Sequence, residues 1–103
     1  RAVLVRFPFA TGYLDRSGLP QEVDWIAVDL EQLGRYGVAF RGDWKQLRKA
    51  RRWLAAHRDS HRVQAINSGV VVLQRDGIQH HDLEAALDRQ LERPLPADPR
   101  QRQ

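Results

Sequence analysis

Residues 21–37 read QEVDWIAVDLEQLGRYG, from Gln21 to Gly37, and the fold turns on how they are read. Two conformations fit. Val23, Ile26, Ala27, Leu30 and Leu33 share one face of a helix that Pro20 would open at its first position. Alternatively, residues 23–28 (VDWIAV) form a strand and Asp29 caps a short helix, with Gln32 three residues on as its capping-box partner. Gly34 and Gly37 both suit a helix end. Trp25 favours the second reading, because on a single helix it points off the apolar face. In a strand covered on both sides it is buried.

The flanking sequence fits a strand-and-helix alternation. Residues 2–9 (AVLVRFPF) are rich in β-branched and aromatic side chains, and Pro8 pushes this strand toward a sheet edge. Residues 11–20 carry Gly12, Asp15, Ser17, Gly18 and Pro20 and read as a loop. Downstream, residues 38–40 read as a short strand. Asp43 is placed to cap a helix over 44–57 whose inward stripe is Leu47, Ala50 and Leu54, with Trp53 beside them. Residues 63–66 and 70–73 are two strands joined at Asn67-Ser68-Gly69, a hairpin signal. Asp76-Gly77 makes another turn. Asp82 starts a last helix with Leu83, Ala86, Leu87 and Leu91 on its apolar face, and Glu84, Arg89 and Arg93 are disposed as the helix dipole favours.

The pattern predicts one compact α/β domain over residues 1–93, with α+β as the alternative. It has a mixed sheet of four to five strands and two to three helices. Residues 94–103 (PLPADPRQRQ) read as a disordered tail or linker. At 103 residues there is material for one hydrophobic core. The absence of cysteine excludes disulfides, thiol catalysis and thiolate metal sites. No apolar run reaches the roughly 18 residues that a membrane span needs, so a cytoplasmic location is the default. The chain has no methionine and starts at Arg1, which points to a domain of a larger protein.

Positive charge is concentrated between Asp43 and Arg62. Lys45, Arg48, Lys49, Arg51, Arg52, Arg58 and Arg62 face only Asp43 and Asp59, a net +5 in a chain whose total is +4. A localised field of this kind suits a polyanion. Lys45, Lys49 and Arg52 recur at i, i+4 and i+7 on one helix face, with Arg48 adjoining and Arg41 and Arg58 near the ends. These six are the candidate nucleic-acid contacts, through the phosphates of DNA or RNA. Trp44 and Trp53 supply only part of the aromatic interleaving of single-strand binders, since Trp53 belongs to the core. The alternative is a protein-protein interaction or dimerisation module that recruits its partner along the edge strand 2–9. Asp24, Asp29 and Glu31 are possible internal partners for Arg35 or for the basic helix.

A third arrangement is similar to the restriction-endonuclease-like nucleases. Residues 22–27 (EVDWIA) resemble their first acidic strand, and residues 38–45 (VAFRGDWK) offer Asp43 and Lys45. The resemblance implies a metal-dependent nuclease, with Asp24 and Asp43 on Mg²⁺ and Lys45 assisting a water. It covers under a third of the chain, and it departs from the family because Asp43 and Lys45 follow Gly42 at a helix start. His57 and His61 lie four apart and His80 and His81 adjoin Asp82, but neither pair shares a face suited to one ion, so they read as surface or capping histidines. No catalytic residue, cofactor or metal site is assigned.

Overall fold

Asp29 is the point at which strand becomes helix. The computed structural model describes residues 1–6, 11–15, 23–39 and 44–95. Its elements run in the order β1 (Ala2–Val5), a 3-10 turn (Thr11–Asp15), β2 (Trp25–Asp29), α1 (Leu30–Ala39), α2 (Lys45–Ala56), β3 (His61–Asn67), β4 (Val70–Arg75) and α3 (His81–Glu92). The Asp29 side chain accepts the Gln32 N–H at 2.9 Å. The Leu30 N–H donates to the Gly69 carbonyl at 3.0 Å. Two of the orphan donors at the start of α1 are thereby satisfied, one locally and one by the hairpin turn.

The expected strand at 38–40 is not formed. Val38 and Ala39 continue α1, which passes through Gly34 and Gly37 instead of stopping at either. A glycine in a helix interior costs about 1 kcal/mol relative to alanine. The helix carries both glycines despite that local preference. Phe40 and the proposed cap Asp43 lie outside the described residues. Trp44 occupies the cap position of α2 and makes no side-chain capping bond.

The described strands form one mixed sheet in the order β1-β2-β4-β3. β1 and β2 are parallel, and β4 runs antiparallel to both β2 and β3. The chain therefore leaves β2, crosses through α1 and α2 to β3 two positions away, and returns through the hairpin to fill the gap with β4. Ser68 and Gly69 make the two-residue hairpin turn with φ of 51° and 86°, the left-handed pair whose twist matches the strands. A bulge at Gln64 shifts the register between Val63 and Ala65. It turns Val63 and Ile66 toward the core, while Ala65 faces outward.

One face of the sheet is buried. Val5, Ile26, Val28, Val63, Val71 and Leu73 join Leu30 and Leu33 of α1, Leu47, Ala50, Trp53 and Leu54 of α2, and Leu87 of α3 in a single core. Leu83 and Leu91 pack against it, as does Leu95, the second residue of the expected tail. The three helices all contribute to this core, and none of them covers the other sheet face, which is open among the described residues.

Candidate functional site

The basic helix is the first place to look for a site, and its cations have different surroundings. Lys45, Arg48 and Arg52 are exposed on α2. Lys49 is not available in the same way, because its Nζ sits 2.7 Å from Asp15 Oδ1 and ties the 3-10 turn to the helix. The Lys49 hydrogen bond and charge hold the Asp15 carboxyl below the usual carboxylate range. Arg58 bonds Glu84 through Nε at 3.1 Å and Nη2 at 2.7 Å, and it also bonds Asp88. Burial works against the Arg58 charge, but the hydrogen bonds it donates to Asp88 and Glu84, with their negative charge, outweigh it and raise the guanidinium pKa. Arg51 donates to the backbone carbonyl of Arg93 at 2.8 Å. Arg41 lies outside the described residues.

Of the six candidate contacts, then, Lys45, Arg48 and Arg52 are exposed on α2, while Lys49 and Arg58 are paired with acids of the fold. The acids that engage them are Asp15, Glu84 and Asp88. Glu31 pairs with Arg35, as the sequence suggested, and Asp24 lies 3.7 Å from the N-terminal amine of Arg1.

The histidines differ from expectation. His57 and His61 are buried, and they form an aromatic column with Trp53, whose ring stacks on His57 at 4.0 Å. His57 Nδ1 donates to the Trp53 carbonyl at 2.7 Å, and His61 Nδ1 meets Ser60 Oγ at 2.7 Å. The turn after α2 folds His61 back onto His57, with ring centroids 5.7 Å apart. His80 does hold the cap position of α3. Among the described residues no group of three or more His, Asp or Glu side chains could hold a metal ion. Lys45 opens a helix, whereas a restriction-endonuclease-like site keeps that lysine in a strand.

The sequence reading did not single out the open face of the sheet. Its central row crosses all four strands as Leu4, Ala27, Val72 and Ala65. The adjoining row is Ala2, Trp25, Gln74 and Arg62. Leu4 is 48% exposed and Trp25 37%. Trp25 was expected to be buried by a sheet covered on both sides; β2 forms as predicted, but no described helix lies over its outer face. The only sequence signal was the alternation across residues 25–28, which placed Trp25 and Ala27 opposite Ile26 and Val28.

The two edges of the sheet are unlike. At β3 the Glu84 carboxylate of α3 accepts the Val63 N–H at 3.2 Å, so a helix lies along that edge. β1, at the other edge, has no second strand beside it among the described residues. No described helix is long and apolar enough to cross a membrane. Comparison with protein-family models, curated proteins and solved structures found no match.

Proposed function

We propose that this domain is a protein-interaction module whose docking surface is the open sheet face, and that it associates with a second copy of the same chain. The observation that carries the reading is the uninterrupted apolar row Leu4–Ala27–Val72–Ala65, flanked by Trp25 and ending at β1, which has no second strand beside it among the described residues. Contiguous exposed apolar surface with a polar rim is characteristic of association sites. Aromatic residues are enriched at the centres of such sites. A sheet open on one face packs most simply against another sheet, side chain into side chain. A dilution series followed by backbone-amide NMR tests this. The Leu4, Trp25, Ala27 and Val72 amides are expected to shift with concentration while those of α2 stay fixed. Invariant spectra from micromolar to near-millimolar protein would remove the proposal.

A second reading keeps the basic helix as a nucleic-acid contact. It is favoured by Arg48 and Arg52, which are exposed one turn apart and form no ion pair among the described residues. With Lys45 they offer about three phosphate contacts, which corresponds to a salt slope near −2 to −3. Anisotropy titrations of labelled duplex and single-stranded DNA at two salt concentrations should show that dependence, and K45E/R48E/R52E should abolish binding. Affinity insensitive to both changes removes this reading.

A further inference from the structure

A cavity of about 630 Å³ opens where α1, α2, the hairpin turn and the end of α3 meet. Its apolar wall is Leu30, Leu47 and Ile66. Its charged lining is Glu31, Arg35, Arg51 and Arg93. Glu31 and Arg35 satisfy one another as an i, i+4 ion pair on α1. That leaves Arg51 and Arg93 with no carboxylate partner among the described residues.

Arg51 is the unusual member. It is half-buried, its Nη1 donates to the Arg93 carbonyl, and its Nε is buried with no hydrogen-bond partner among the described residues. Arg51 and Arg93 line the cavity with no carboxylate paired to them among the described residues, so an anionic acceptor would be met by their Nη donors. Burial first, and then the nearby charge of Arg93, push the Arg51 pKa down, which is the mark of a cation lacking its counter-charge. A carboxylate there would take charge-assisted hydrogen bonds from the planar fork. The volume lies within the range of small-molecule sites, roughly 300–1,000 Å³.

We infer that this cavity binds a small amphipathic carboxylate, with the anion on Arg51 and Arg93 and the apolar body against Leu30, Leu47 and Ile66. The site shares no residue with the open sheet face, so it stands or falls independently of self-association.

The test titrates the full chain with octanoate, acetate and octanol and follows backbone-amide NMR shifts. Octanoate is expected to bind saturably and to move the Gly34, Ser68 and Gly69 amides, leaving Leu4 and Trp25 in place. Acetate lacks the apolar body, and octanol lacks the charge that takes the charge-assisted bonds, so each should bind at least about tenfold more weakly. Arg51→Met keeps the aliphatic stem and should weaken octanoate by a similar factor. If that variant melts early, Arg93→Gln, which preserves the carbonyl that Arg51 bonds, serves instead and should weaken binding several-fold. Overturning results are absence of saturation, octanol or acetate binding as well as octanoate, shifts confined to the sheet face, or full affinity in a folded variant.

Discussion

His61 is 2% exposed, bonded to Ser60 at Nδ1, with no hydrogen-bond partner at Nε2. Burial lowers its pKa from the ordinary value of 6.5, and repulsion from Arg75 and His57 adds to the shift. Asp76 and the His57 carbonyl oppose it without reversing it. The unfolded chain therefore takes up a proton at His61 as the pH falls through about 6.5, while the folded chain takes it up only at lower pH. Between those values unfolding gains a proton, so the stability held at neutral pH is lost as the pH falls. Urea midpoints at pH 7.5 and pH 6 should show a drop in the parent chain. In His61→Phe, which retains a ring beside Trp53 and His57, the drop should be clearly smaller. An equal drop in both would show that His61 is not the group responsible. The sequence placed His57 and His61 four apart but gave no sign of their burial. That burial depends on a turn folding back onto the last turn of α2, a tertiary outcome.

At the scale of elements, a glycine within α1 and a glycine in the hairpin turn have opposite requirements. Gly34 sits within α1 with nothing inside 4 Å of where a Cβ would project. Gly34→Ala should raise stability by about 0.5–1 kcal/mol, because alanine loses less backbone freedom on entering a helix. Gly69 has φ +86°, and a Cβ there would lie 2.9 Å from Glu31 Cβ. Gly69→Ala should lower stability by about 2 kcal/mol or more, from a strained dihedral and from displacing the start of α1. Chemical denaturation of the two variants checks both signs, and a loss at Gly34 would contradict the path of α1 through that residue. The strand-to-helix change at Asp29 was legible because capping is local: Asp29 and Gln32 meet as their spacing required. The Asn67-Ser68-Gly69 turn and the inward stripe of α2 were legible for the same reason. The continuation of α1 over Val38 and Ala39 was not, because Gly34 and Gly37 both suit a helix end and neither ends it.

At the scale of the whole molecule, the balance of charge and of apolar surface bears on function. The net +5 between Asp43 and Arg62 is real in sequence but divided in space. Lys49 is spent on Asp15 and Arg58 on α3, while Arg62 lies on the sheet beside Gln74. Clustering along a chain does not fix clustering on a surface, and the acids that answer these cations lie about thirty residues away in sequence, Asp15 before Lys49 and Asp88 after Arg58. The open sheet face was hidden from sequence for the converse reason. Leu4, Trp25, Ala27 and Val72 come from three strands and become one patch only through the order β1-β2-β4-β3. Unequal edges then single out one side of the sheet, with α3 guarding β3 and no second described strand beside β1. The central claim is that this patch joins two copies of the chain, and sedimentation equilibrium measures it directly. The parent chain should pass from monomer toward dimer as its concentration rises, and Leu4→Lys/Trp25→Lys should stay monomeric with an unchanged melting temperature. A parent chain that sediments as a monomer throughout, or a double variant that dimerises as well as the parent, would contradict it.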